Sequence, residues 1–321
     1  MRELRDVAVG GVLVTAWALG EGWSRSGLYR CLKEEGWTAL GEGAWVERGV
    51  GVGLRTRLRA VQFAVPEFVV SHRAAAWLWR IELLRVEAEF TDPEGVRKRK
   101  GTRVHRSALP AGDVVERDGL RITSVDRTLA DLLLSGPRDE ALVAVDSALA
   151  RRSVGVGDHE RERRIRRAPL TRLDTVATAL GQRRRGAVRA RGWLALADPA
   201  CGSPAETVAR LRMYDAGLRP ETQTEVLTFT GRVLRPDFLF RAQGVAVEIE
   251  GYAYHGSRED HRRDVARFND LQQCAEVRVA LRFTAEEVFH APGAMIATIR
   301  RALGAAAGVA GVTGGGPPCL P

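Results

Sequence analysis

The chain has 321 residues, of which 45% are hydrophobic and 28% charged, with 49 Lys and Arg against 40 Asp and Glu. At about 150 residues per domain, this length favours two or three domains, and the composition excludes a fibrous or disordered chain. The four cysteines are scattered and none forms a pair at zinc-finger spacing, so we expect neither a disulfide framework nor a structural zinc site.

The longest apolar stretch covers residues 7–20, fewer than the roughly 20 residues that span a bilayer. Acidic and basic residues are mixed just before it, which is unlike the basic start of a signal peptide. We therefore expect a buried helix here, no membrane partner and a cytoplasmic location.

Positive charge is concentrated in the middle of the chain. Residues 151–191 hold 13 Arg against four acids, an excess equal to the formal charge of +9 for the whole chain. A second basic run occupies residues 97–100. Such clusters are typical of polyanion binding, and a solvated face or linker is the alternative that stays open.

Residues 1–53 have the outline of a winged helix-turn-helix domain. Ser24 is a helix N-cap, Gly36 suits the helix end, and a glycine-rich hairpin follows over residues 37–46. The helix from Ser24 takes the recognition position. The alternative is a small helical core with an exposed polar face. On the first interpretation, the side chains that face DNA are Arg25, Ser26, Tyr29, Arg30 and Lys33.

The rest of the chain divides into four further segments. Residues 54–152 predict an α+β middle domain, with Ser71 capping a helix over 72–80 and Asp118-Gly119 closing a hairpin. The strands and helices expected around these features cover residues 86–90, 96–105, 114–117, 120–123, 125–134 and 139–152. An Arg-rich helical connector over 153–200, an α/β domain over 201–303 and a flexible tail over 304–321 follow.

Within residues 201–303 the pattern predicts a helix from 203, three strands, a polar helix, a further strand and a last helix after 284. That order indicates a mixed α/β domain with a central sheet. The elements after the first helix are expected at residues 224–229, 233–240, 245–250, 258–273 and 277–283.

Three acids are predicted to share one face of that sheet. If residues 241–244 form a turn, Asp237 lies directly opposite Glu248, and Glu250 shares the face of Glu248 because side chains alternate along a strand. Opposed like charges are destabilising unless a cation neutralises them. Oxygen ligands suit Mg²⁺ or Mn²⁺, which activates water against a phosphodiester. An acidic face turned to solvent is the alternative.

Basic and titratable residues follow these acids. His255 comes five residues after Glu250, near the end of the strand, where it could act as a general acid or base. The next helix carries arginines that could hold a phosphate backbone, namely Arg262, Arg263 and Arg267.

The segments RPDFLF, VEIEGYAYH and DVARFNDL, followed by VRVALRFTAEEV, resemble the very-short-patch-repair-like branch of the PD-(D/E)xK endonuclease superfamily. The resemblance covers about residues 203–303. It implies a restriction-endonuclease-like α/β sandwich and magnesium-dependent cleavage of DNA strands.

The resemblance also implies roles for individual residues. Asp237 is then a metal ligand, Glu248 and Glu250 occupy the second acidic motif, and His255 matches the catalytic His. Glu206 matches a helix glutamate near the metal, although a capping box at the helix start explains it equally well. Glu250 stands where the superfamily has a lysine, so the chemistry would depend on His255 or on the metal alone. The cysteine zinc site of the repair enzymes is also missing.

The N-terminal segment SRSGLYRCLKEEGWTALGEGAWV is similar to the winged helix of AbiEi-type antitoxins of type IV toxin-antitoxin systems. VVSHRAAAWLW and RITSVDRTLADLL resemble the segment that follows it in those proteins. The resemblance implies a DNA-binding transcriptional autoregulator.

Together these patterns predict a protein that binds duplex DNA and carries a metal-dependent endonuclease domain. A non-catalytic regulator of AbiEi antitoxin type, with a degenerate nuclease fold, is the main alternative. A third interpretation makes the Arg-rich middle an RNA-binding surface. A cognate toxin and a homodimer stay open as further partners.

Overall fold

The structure, a computed structural model, describes the chain in seven ranges: residues 3–41, 43–95, 101–150, 152–154, 165–181, 185–250 and 258–312. The protein is a mixed α/β protein, as the sequence predicts. Its residues form two compact units, residues 1–136 with 173–191 and residues 137–172 with 192–321. Within the seven described ranges, no helix is long and apolar enough to cross a membrane.

The first unit opens with a winged helix-turn-helix arrangement. Its elements are α1 (Leu4–Val7), β1 (Val12–Val14), α2 (Thr15–Gly20), α3 (Arg25–Glu34), β2 (Thr38–Gly41) and β3 (Ala44–Val46). The three strands form an antiparallel sheet in the order β1-β3-β2. The Ser24 hydroxyl caps α3 by accepting the Gly27 N–H at 3.1 Å, and Leu28 and Leu32 of α3 are fully buried.

The prediction of one buried helix over residues 7–20 is wrong, because β1 occupies the middle of that stretch. Val12 and Val14 are β-branched, a type that favours strands, and they pair with Val46 and Ala44 of β3. Only the last part of the stretch is helical, as α2.

A five-stranded mixed sheet follows in the first unit, in the order β6-β5-β4-β8-β7. In chain order, the helices and strands of this part are α4 (Leu54–Ala64), β4 (Val69–Val70), α5 (His72–Leu78), β5 (Glu89–Asp92), β6 (Arg103–Arg106), β7 (Val114–Arg117), β8 (Leu120–Thr123) and α6 (Val125–Ser135). The hairpin at Asp118-Gly119 is confirmed, and both residues adopt the positive φ of a type I′ turn, +53° and +72°. Ser71 precedes α5 as predicted, but its hydroxyl lies 2.9 Å from Nδ1 of His72 and makes no cap hydrogen bond.

The middle of the chain contains α7 (Arg138–Leu149), β9 (Arg152–Val154), β10 (Ile165–Arg167), α8 (Leu173–Ala179) and α9 (Ala187–Leu194). β9, which starts one residue before the segment expected to be a helical connector, pairs antiparallel with β10 inside it, so that expectation missed a strand pair. α7, which the sequence assigns to the middle domain, lies in the second unit. The predicted division into five segments stays a prediction.

The second unit contains the C-terminal α/β domain. Its elements are α10 (Pro204–Asp215), β11 (Glu221–Thr222), β12 (Val226–Leu227), β13 (Val233–Leu234), β14 (Phe238–Phe240), β15 (Val245–Glu250), α11 (Arg258–Gln272), β16 (Val279–Thr284), α12 (Ala285–His290) and α13 (Pro292–Val312). The main sheet has the order β11-β14-β15-β16, with β15 and β16 parallel and the other pairs antiparallel. β12 and β13 form a separate hairpin.

Two expectations for this domain need correction. The strand predicted over 233–240 is split into β13 and β14, and Pro236, which has no N–H for a strand ladder, lies in the break. The tail expected from residue 304 is helical as far as Val312, because its alanines have high helix propensity.

A single apolar cluster holds α10, the main sheet and α13 together. It includes Val208 of α10, Phe238 and Val247 of the sheet and Ile299 of α13. This packing fixes the start of α10 against the first residues of β14, where the acidic side chains lie.

Candidate functional site

The acidic residues Glu206, Asp237 and Glu248 converge at one end of the main sheet. The β14–β15 register pairs Phe238 with Val247, so Asp237, one residue before β14, lies opposite Glu248 as predicted. Glu206 reaches the same place from the first turn of α10. The three residues are only 8%, 8% and 5% exposed. Three carboxyl groups are therefore withdrawn from water together, which is unfavourable unless they are neutralised.

Asp237 is held by two donors. Its Oδ2 accepts the backbone N–H of Ile249 at 2.7 Å, and its Oδ1 accepts the side-chain amide of Gln223 at 2.8 Å. The same amide donates to Oε2 of Glu206 at 3.3 Å. Gln223 thus links two of the three acids.

Glu206 takes only part of the role expected from a capping box. Ser203 accepts the N–H of Glu206 at 3.2 Å, as that motif requires, but the Glu206 carboxylate accepts the N–H of Gly202 at 2.7 Å. The other hydrogen bond that this carboxylate accepts comes from the Gln223 amide, which also donates to Asp237.

The two carboxylate oxygens of Glu248 have different surroundings. Its Oε2 forms an ion pair with the guanidinium of Arg267 on α11. The same guanidinium also donates to the carbonyl oxygen of Arg235 at 2.6 Å. Its Oε1 is buried and has no hydrogen-bond partner among the described residues. A buried oxygen of this kind is open to a ligand.

The electrostatics reflect the crowding of these acids. Burial, followed by the nearby Glu206 and Glu248, raises the pKa of Asp237 from its ordinary value of 3.8 to about 8. Burial, with a smaller contribution from Glu248, also raises the pKa of Glu206. Strongly shifted carboxyl groups in a cluster are typical of functional sites.

The other predicted residues of this site lie in different surroundings. Glu250 is half-buried, and its Oε1 lies 3.1 Å from Nε of Arg282 on β16. Arg262 is exposed on α11, whereas Arg267, predicted to contact DNA, points to Glu248. His255 and the side chain of Arg263 lie outside the described residues.

The donor set fits a divalent cation by its chemistry. Carboxylate oxygens are the ligands that Mg²⁺ and Mn²⁺ prefer, and Oε1 of Glu248 lacks a partner. The arrangement itself is closed by other donors, since Gln223 and Arg267 hold oxygens that a cation would need. Among the described residues, no three His, Cys, Asp or Glu side chains stand in position to hold a metal.

The predicted recognition helix presents its polar face to solvent. Five side chains of α3 are exposed, namely Arg25, Ser26, Tyr29, Arg30 and Lys33. The Tyr29 ring packs edge-on against Trp45 of β3, with ring centroids 5.5 Å apart. This face is available to a partner, and its contact with DNA stays a prediction.

Sequence reasoning missed Gln223. It lies in a short stretch that no strand or motif pattern marks, just after β11, and only the folded sheet brings it to the acids. A polar residue between two threonines gave no usable signal.

Comparisons with known proteins give relatives without a described activity. No protein-family profile matches the chain. The crystal structure of the RV2827C protein from Mycobacterium tuberculosis is similar at a TM-score of 0.41 and 18% identity, over 71% of this chain and 83% of that one. Two M. tuberculosis sequences, Uncharacterized protein Rv2248 of strain H37Rv and Uncharacterized protein MT2308 of strain CDC 1551, are 31% identical over 222 residues. Those residues are 68% of this chain and 74% of each relative, so the chain belongs to the same family as these mycobacterial proteins.

Proposed function

We propose that this protein is a cytoplasmic, DNA-binding endonuclease that hydrolyses phosphodiester bonds of duplex DNA with Mg²⁺ or Mn²⁺. The observation that carries the proposal is the convergence of Glu206, Asp237 and Glu248, all buried, with one oxygen of Glu248 lacking a partner. Burying three carboxyl groups in one place is costly, and it suits a site that receives a divalent cation.

The three acids would hold the ion once the Gln223 amide and the Arg267 guanidinium leave the oxygens that they occupy in the described arrangement. The bound ion would polarise the phosphodiester and make the attacking water more acidic. Asp237 is already oriented, because the Ile249 N–H fixes one of its oxygens from β15. Since the superfamily's lysine is replaced by Glu250, which is paired with Arg282, we assign proton transfer to His255.

The winged helix supports placement of the nuclease on DNA. The exposed face of α3 carries Arg25, Arg30 and Lys33, which can contact phosphates, and Tyr29, which can contact bases or sugars. The excess of arginine over residues 151–191 adds a sequence-independent attraction to the DNA backbone.

Cleavage of supercoiled plasmid and of linear duplex tests the proposal. The wild-type protein is incubated with Mg²⁺ or Mn²⁺ and compared with Asp237→Asn and with Asp270→Asn, a matched change on α11 at a carboxylate that pairs with Arg232. We expect metal-dependent nicking by the wild type and by Asp270→Asn, and none by Asp237→Asn. Equal activity of Asp237→Asn would show that the nicking comes from elsewhere.

A second candidate function is a non-catalytic regulator of AbiEi antitoxin type that keeps the nuclease fold as a scaffold. It is favoured by the side chains of Gln223 and Arg267, because they donate hydrogen bonds to carboxylate oxygens that a metal ion would need. This candidate predicts a footprint at the protein's own promoter, no cleavage with any metal, and a cognate toxin as partner. A homodimer would then appear as a palindromic operator with half-sites about one helical turn apart.

A further inference from the structure

The Gln223 side chain stands between two acids of the candidate site. Its amide donates one hydrogen bond to Oδ1 of Asp237 at 2.8 Å and another to Oε2 of Glu206 at 3.3 Å. The backbone N–H of Gln223 donates to the carbonyl oxygen of Asp237 at 3.0 Å. Backbone and side chain together hold this residue at the acidic cluster.

Gln223 has an unusual backbone conformation, with a φ of +51°. This left-handed region is uncommon for residues other than glycine, asparagine and aspartate. Strained conformations persist when the surroundings hold them in place, and they cluster at ligand sites and switches. At Gln223 the surroundings are the three hydrogen bonds to Asp237 and Glu206.

We propose that Gln223 gates this site: its amide occupies the position of a divalent cation between Asp237 and Glu206, and it leaves those oxygens when the cation binds. The inference rests on the proposed function, because it concerns the same metal site. It adds a residue that controls how readily the ion enters.

An amide is suited to this place because it is neutral and has two N–H groups. It can satisfy two neighbouring carboxyl groups at once without burying a positive charge. A divalent cation needs the same two oxygens, so the amide and the cation exclude each other. A competing closed state lowers the apparent affinity for the ligand by the fraction of open sites.

Removal of the amide should therefore tighten cation binding. Calorimetric titration with Mn²⁺ alone is made on the full-length wild type, Gln223→Ala and Gln223→Gly. Alanine removes the amide and keeps the backbone constraint, whereas glycine also relieves it, since glycine adopts positive φ freely. Gln272→Ala, an exposed glutamine of α11, is the matched control, and Asp237→Asn marks the loss of a ligand.

We expect the Kd for Mn²⁺ to fall about tenfold in both Gln223 variants, the equivalent of one hydrogen bond to a carboxylate. It should stay unchanged in Gln272→Ala, and binding should be lost in Asp237→Asn. An unchanged Kd in both Gln223 variants, with a wild type that binds Mn²⁺, overturns the gate alone. A raised Kd in both also overturns it, because Gln223 would then help to hold the ion.

The two proposals fail in different ways. If neither the wild type nor the Gln223 variants bind Mn²⁺, the metal site and the gate both fall. If the wild type does not bind but Gln223→Ala does, the gate is supported in its strongest form. Circular dichroism of each variant verifies that the titrated protein is folded.

Discussion

Replacement of Asp237 by asparagine should stabilise the metal-free protein, although it removes a proposed catalytic group. Burial and two neighbouring acids raise the pKa of Asp237 from 3.8 to about 8. A group with a raised pKa in the folded state stabilises fully below its ordinary pKa and loses that contribution as pH rises through the folded value. Between the two pKa values, each pH unit lowers the free energy of unfolding by about 1.4 kcal/mol. At pH 7 the Asp237 carboxyl group therefore lowers it by about 4 kcal/mol.

Asparagine does not titrate and avoids this cost. It offers one acceptor where Asp237 has two, so the bond from Ile249 or from Gln223 is lost, at about 1–3 kcal/mol. We expect Asp237→Asn to be more stable than the wild type by about 1–3 kcal/mol at pH 7. The advantage should shrink by about 1.4 kcal/mol for each unit by which the pH is lowered, and it should vanish between about pH 6.3 and about pH 5.

Urea unfolding in EDTA at pH 5.5, 6.5 and 7.5 measures this difference. Six of the seven tryptophans lie in the first unit, so unfolding is followed by far-ultraviolet circular dichroism. Asp215→Asn is a control with the opposite sign, because the hydrogen bond from Arg138 lowers the pKa of Asp215. A stability difference for Asp237→Asn that is independent of pH, or that favours the wild type at pH 7.5, would refute the reasoning.

Three further predictions concern other parts of the chain. Burial lowers the pKa of His72 from 6.5 to about 4, so as the pH falls this imidazole is protonated in the unfolded chain before it is protonated in the folded protein. Stability should fall by about 1.4 kcal/mol per unit from pH 6.5 to 4, and pH-dependent unfolding of His72→Gln should lack that slope. Asp146→Ala leaves the fully buried Arg210 guanidinium without the carboxylate that lies 2.8 Å from it. The free energy of unfolding measured in urea should fall by about 3–5 kcal/mol, and a fall below about 1 kcal/mol would contradict this. Arg30→Ala and Lys33→Ala should each reduce the slope of log affinity for duplex DNA against log salt by about 0.9, and an unchanged slope would exclude phosphate contacts by these side chains.

Strongly periodic or capped elements could be predicted from the sequence. Helix α3 begins after Ser24 and ends before Gly36, whose φ is +75°, because a hydroxyl cap and a left-handed glycine are local signals. β15 keeps its predicted bounds, and the β14–β15 register follows from the four-residue turn between them. That register alone was enough to place Asp237 opposite Glu248.

Other features depend on contacts between distant residues. The apolar pattern suggested a helix where β1 forms. The strand is stabilised by pairing with β3, and this partner lies about 30 residues away in the sequence, beyond the reach of a local pattern. Gln223 and Arg267 reach the acids only through the packing of the folded sheet and α11, and a single sequence carries no signal of that approach. Asp237 and Glu248 were predictable because strand register places them, whereas Glu206 was expected only from the family resemblance, and the donors that hold the acids come from a loop and a helix.

The most direct measurement of the proposed metal site is anomalous X-ray scattering from crystals of the wild-type protein soaked in Mn²⁺. We expect an anomalous peak within coordination distance of the Asp237 and Glu248 carboxylates, with Oε1 of Glu248 as a ligand and the Gln223 amide moved away. Crystals of Asp237→Asn should lack the peak. Saturating Mn²⁺ with no peak at the three acids, and with Gln223 still bonded to Asp237 and Glu206, would contradict the metal-dependent nuclease.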